Sequence, residues 1–175
     1  MKSSEIISLP ADFAADSRVW IYQGNRAFTA AETMEIKRLL ASFVQDWNSH
    51  GHPVKGYAGI FYDRFIVLMA DETATGVSGC STDSSVQLIR QIEQHIDVRL
   101  FDRLNLAFFV DGEVRLVPMS QLSAALGSGA ITAETPFFNN VIQTKQELEM
   151  KWLIPLKNSW LGPKYTLTSD LVPGK

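Results

Sequence analysis

The chain has 175 residues, 46% of them hydrophobic and 20% charged, with a formal net charge of −3. That size suits a globular domain whose core needs no covalent staple, and the mild acidity, without any Lys/Arg run, excludes the clustered basic face that nucleic-acid binding requires. A lone cysteine forms no internal disulfide, the first ten residues lack a signal-peptide core, and the longest apolar run, residues 65–70, is far too short to span a membrane, so a cytoplasmic protein in a reducing compartment is expected.

Residues 1–17 read as a loosely held lead-in. Arg18-Val19-Trp20-Ile21-Tyr22 reads as a first strand, closed by Gln23-Gly24-Asn25. Thr29-Ala30-Ala31-Glu32 is a capping box, in which hydroxyl and carboxylate each satisfy an orphan amide. Behind it Ile36, Leu39, Leu40, Phe43, Val44 and Trp47 keep helical spacing, and the helix should stop near His50-Gly51-His52-Pro53. Residues 54–61 and 65–70 read as two strands joined by Tyr62-Asp63-Arg64; the second is nearly all apolar and therefore central.

A glycine- and serine-rich loop over 73–82 leads to a helix from about Ser84 to Ile96, with Val86, Ile89, Ile92 and Ile96 inward. Residues 104–110 and 113–117 flank Asp111-Gly112, a hairpin signal. A short helix over 120–126 ends at Gly127-Ser128-Gly129, and 130–142 reads as irregular. A second capping box, Thr144-Lys145-Gln146-Glu147, opens a helix carrying Leu148, Trp152 and Leu156 inward, with Pro155 kinking or shortening it. Residues 161–175 form a tail of disordered character.

These elements give an α+β fold: a mostly antiparallel sheet with a ferredoxin-like β-α-β-β-α-β order, plus an extra hairpin strand and C-terminal helices, in a single domain over 18–160. The expected core comprises Trp20, Ile36, Leu40, Phe43, Val44, Trp47, Ile66, Val67, Leu68, Ile89, Ile92, Phe108 and Leu148.

The chemistry gathers where the apolar strand ends in Asp71-Glu72 and the small-residue loop begins. Val67-Leu68-Met69-Ala70-Asp71-Glu72 has the shape of a Walker B segment, and Val77-Ser78-Gly79-Cys80-Ser81 echoes the signature loop of ABC-type ATPases. The analogy fails twice. No G-x-x-x-x-G-K-[ST] is present to cradle phosphates, and the loop follows the acidic pair instead of preceding it. Ser78, Gly79, Ser81, Thr82, Asp83, Ser84 and Ser85 nonetheless crowd the start of a helix. They could present amides and hydroxyls to a small anion or phosphate-bearing ligand, or simply cap the helix.

Cys80 is a candidate nucleophile if the helix N-terminus favours its thiolate, with His52 or His50 as base and Asp71 as orienter. His50-Gly51-His52 supplies two metal ligands but no clear third, so no metal and no cofactor are assigned. Arg64, Arg103 and Lys55 are possible contacts for an acidic ligand. Phe137-Phe138-Asn139-Asn140 reads as a packed loop or a lid. Trp152 and Trp160 either cover the sheet or contribute to a homodimer contact. Three functions stay open: a small-ligand-binding domain, a thiol-dependent enzyme, and an adaptor that binds another protein through an apolar patch.

The segments Arg18-Val19-Trp20-Ile21-Tyr22-Gln23, Ser49-His50-Gly51, Asp71-Glu72, Gly76-Val77-Ser78-Gly79-Cys80-Ser81, Asp83-Ser84-Ser85 and Leu100-Phe101-Asp102-Arg103-Leu104-Asn105 resemble a family of uncharacterised Bacteroidetes proteins often labelled "ABC transporter ATPase". The resemblance covers residues 17–160. It implies no established activity and no site residues.

Overall fold

A computed structural model describes residues 7–167 as an α+β fold with antiparallel sheets. In chain order come β1 (Arg18–Gln23), α1 (Ala30–Asp46), β2 (Asn48–Ser49), β3 (His52–Pro53), β4 (Lys55–Phe61), β5 (Phe65–Asp71), α2 (Gly79–Ile96), β6 (Asn105–Val110) and β7 (Glu113–Pro118). There follow α3 (Leu122–Ser128), β8 (Pro136–Phe138), α4 (Lys145–Lys151), β9 (Leu153–Pro155) and α5 (Leu161–Lys164). The β-α-β-β-α-β order is present, with the small β2–β3 hairpin inserted after α1. The backbone gathers into two compact units: residues 7–102 with 142–149, and residues 103–141 with 150–167. The domain expected over 18–160 spans both.

In the first unit, β5 is the middle strand of a sheet ordered β1-β5-β4, antiparallel to both neighbours, with Val19 opposite Met69 and Ala58 opposite Leu68. All seven β5 residues are buried, which is why the strand reads as an unbroken apolar run. Alternation sends Ile66 and Leu68 to one face, where they join Ile36 and Leu40 of α1 and Leu88, Ile89, Ile92 and Ile96 of α2. Each such aliphatic side chain contributes about 1.5–3 kcal/mol by leaving water.

The capping box forms as expected. Thr29 accepts from the Glu32 amide, and Glu32 accepts from the Thr29 amide. Arg26, through two hydrogen bonds, and then the Thr29 amide hold the Glu32 carboxyl down to about 2. The helix ends at Asp46, earlier than expected. Trp47 turns to extended geometry, and its carbonyl accepts from Val54, closing the loop that carries β2 and β3. Its ring lies against Trp20 and Phe43. Position 56 must be glycine here, since a Cβ would stand 2.7 Å from the indole. Of the expected core, Trp20, Phe43 and Val44 are only half-buried.

Part of the lead-in is fastened. Phe13 and Ser17 are buried, Gln146 donates to Ala15 and Lys145 to Ser17. Residues 1–6 lie outside the described residues.

The second unit holds a sheet ordered β7-β6-β8-β9. β6 and β7 meet at Asp111-Gly112, both at positive φ as a two-residue hairpin turn demands. Leu106, Phe108, Leu122, Ile131, Phe137, Leu156 and Leu161 form its core. Two expectations change. The stretch 130–142 contains β8, and the last long helix ends at Lys151, giving way to β9 paired with β8. Pro155, which cannot donate within a helix, ends that strand on the sheet's edge. Of the expected tail, residues 161–164 are helical, and 168–175 lie outside the described residues.

Candidate functional site

α2 begins at Gly79, not at Ser84, because the cap is Ser78. Its backbone is extended, and its Oγ accepts from the Ser81 amide. Asp83, Ser84 and Ser85 therefore lie within the helix.

The hydroxyls are engaged within the protein, most of them on backbone carbonyls. Ser81 Oγ donates to the Asn48 carbonyl at 2.6 Å, which leaves it as acceptor for Ser78 Oγ at 2.9 Å. Thr82 donates to the Ser78 carbonyl, Ser84 to Cys80 and Ser85 to Thr82. The Ser78 amide donates to Ser49 Oγ, and Trp47 Nε1 donates to the Ser81 carbonyl. This end of α2 is thus fastened to the β2–β3 hairpin through the Ser78 amide and the buried Ser81 hydroxyl, while the buried Ser85 hydroxyl stays within the helix.

What remains open is main chain. Val77 donates to Glu72, whose carboxylate also meets Arg18 at 3.5 Å. The next amides, Gly79 and Cys80, belong to exposed residues and find no acceptor among the described residues. Nothing stands within 4 Å of where a Cβ would be on Gly76 or Gly79.

Cys80 is exposed in the first turn of α2. His50 and His52 are exposed on the hairpin that abuts this turn, so the structure brings them to the same region. No hydrogen bond among the described residues joins either imidazole to the thiol or to Asp71.

Asp71, at the end of β5, is buried and already engaged. It accepts from the Thr73 hydroxyl and amide through Oδ1 and from the Ala14 amide through Oδ2, with the Lys55 ammonium 3.7 Å away. These contacts, the Thr73 hydroxyl foremost, bring its carboxyl from 3.8 to about 2.

Lys55 and Asp71 face each other as register partners of β4 and β5, beside an open depression of about 530 Å³ bordered also by Phe13 and Ala74. Alignment of the two strands' ends in the sequence would have paired them. Ala14 and Lys145 carried no such signal. Arg64, at the other end of β5, donates to the Gly24 carbonyl; its Nε is buried without a partner among the described residues, and desolvation lowers its pKa. Among the described residues no group of three or more His, Cys, Asp or Glu side chains is placed to hold a metal ion, and no helix is long and apolar enough to cross a membrane.

Comparison with family models, curated proteins and solved structures finds no match for this chain.

Proposed function

We propose that the protein is a cytoplasmic small-ligand-binding domain that takes an anion or phosphate-bearing molecule at the N-terminus of α2. The observation that supports this is the pair of exposed, unpartnered amides at Gly79 and Cys80, opening beside two glycines onto free space. The first amides of a helix point outward without intrahelical acceptors, and the helix dipole adds a partial positive charge there. Because the Ser81, Thr82, Ser84 and Ser85 hydroxyls are spent on backbone carbonyls and the Ser78 hydroxyl on Ser81 Oγ, the ligand contacts narrow to main chain. The resemblance to the Bacteroidetes family accompanies this reading and adds no activity to it.

Gly79→Pro tests it. Proline is favoured at the first helical position, and Ser78 already has the extended backbone that a residue before proline needs. The variant therefore folds while lacking one amide. Titration with inorganic phosphate, followed by amide chemical shifts, should move Gly79 and Cys80 in the natural chain, and binding should weaken several-fold in Gly79→Pro. Cys80→Ala should bind as the natural chain does, and a loss there would point to the thiol-dependent reading instead. Phosphate that moves no amide of residues 76–82 would sink the anion site.

A second reading, an adaptor or homodimer surface, draws on exposed apolar side chains. Leu104, Val141, Met150 and Trp160, four of the five large ones exposed among the described residues, belong to the second unit. Sedimentation over a range of concentrations should then show self-association that Trp160→Asp abolishes; a monomer throughout removes the homodimer.

A further inference from the structure

The second sheet ends on two unlike edges. β9 is three residues long and closes on Pro155, and both features blunt an edge. β7 is six residues long, keeps an unbroken register with β6, and carries proline only at its last position. Its two-residue turn makes Val110 and Glu113 a hydrogen-bonded pair, so alternation turns the main chain of Glu113, Arg115 and Val117 towards β6. The main chain of Val114 and Leu116 therefore faces away from the sheet. Neither residue finds a hydrogen-bond partner there among the described residues. A row of open amides and carbonyls is a template for another strand.

The side chains say which strand fits. Glu113 and Arg115 are exposed and stand on either side of Val114. Arg115 meets Asp111 of its own turn at 3.2 Å, and Glu113 has no ion pair among the described residues. When a second β7 is laid alongside, reversed about Val114, Glu113 of each copy lies opposite Arg115 of the other. Val114 then pairs with its own copy through outward main chain. The two charge pairs take the non-hydrogen-bonded positions, where facing side chains stand closest. Leu116 falls opposite Gly112, which has no side chain to obstruct it. Neighbouring registers are penalised: centring on Arg115 sets arginine against arginine, and centring on Leu116 sets Pro118, which has no amide, opposite Val114. A strand complementary to its own reversal fits a second copy of this chain, as a twofold contact requires.

We propose that β7 pairs antiparallel with β7 of a second copy, with Val114 on the twofold axis and Glu113 opposite Arg115, joining the two second-unit sheets into one. This contact lies on a strand edge and is separate from the apolar surface around Trp160; one measurement tells the two apart.

Sedimentation equilibrium of the intact chain over a concentration series tests the pairing. The natural chain should self-associate. Glu113→Arg and Arg115→Glu both change exposed side chains and set like charges against each other in the paired strands. Each should weaken association about tenfold or more. An equimolar mixture of the two variants places arginine opposite glutamate at both positions, so mixed dimers should regain the natural chain's strength. Val114→Pro removes an outward amide that the fold itself does not use, and it should be monomeric. Recovery in the mixture, with association persisting in Trp160→Asp, supports the β7 contact. Charge variants that each weaken association without recovery in the mixture overturn it. Association indifferent to the charge variants and abolished by Trp160→Asp overturns the β7 contact alone, and a natural chain that stays monomeric overturns both.

Discussion

The carboxylate of Asp71 stays ionised down to about pH 2 because the Thr73 hydroxyl, the amides of Ala14 and Thr73 and the Lys55 ammonium all favour its charged form. A depressed folded-state pKa stabilises the protein above the unfolded value, near 3.8, and that contribution is lost as pH falls through about 2. Asp71→Asn should therefore lower stability at pH 7 by about 1–3 kcal/mol, the cost of weakening buried charge-assisted hydrogen bonds. The gap between natural and variant proteins should close as pH falls from 4 towards 2, read by urea unfolding at each pH. A gap independent of pH would mean that the charge itself contributes nothing. Asp71 was legible in the sequence as a carboxylate ending an apolar strand. Its partner Ala14, 57 residues away, was not, since an alanine amide has no sequence signature.

Among the elements, α1 and β5 were the most legible. Thr29 and Glu32 mark the start of α1, and its apolar spacing marks the inner face. The start of α2 was misplaced because Ser78, Asp83, Ser84 and Ser85 are all competent caps. The choice fell to Ser78 through contacts distant in sequence: Trp47 Nε1 to the Ser81 carbonyl at 3.2 Å, and Ser81 Oγ to Asn48. Trp47→Phe keeps an aromatic ring against Trp20 and Phe43 and removes the indole donor. It should cost about 0.5–1.5 kcal/mol, the net worth of one buried hydrogen bond, since the Ser81 carbonyl keeps its intrahelical partner. In urea unfolding this appears as a lower midpoint with an unchanged m-value, and a midpoint equal to the natural chain's would remove the anchoring role of that bond. The end of α4 was missed for a related reason: Trp152 and Leu156 keep a helical interval from Leu148, yet Leu153–Pro155 pairs with β8. A short apolar run fits either period, and only the presence of a partner strand decides.

For the whole molecule, local signals set the kind and order of the elements and pairing set their grouping. The sequence by itself determined an α+β chain, its β-α-β-β-α-β order, the central β5 and the Asp111-Gly112 hairpin. These depend on capping, periodicity and turn chemistry within about ten residues. Only the tertiary structure decided that the β6–β7 hairpin joins β8 and β9 in a second sheet, and that residues 142–149 return to the first unit. It also decided that the serines after Asp71 hold a helix to a hairpin while the amides of Gly79 and Cys80 stay open, and that Lys145 reaches Phe13 across 132 positions. Those outcomes depend on which distant donor meets which acceptor, and composition and spacing carry no record of that choice.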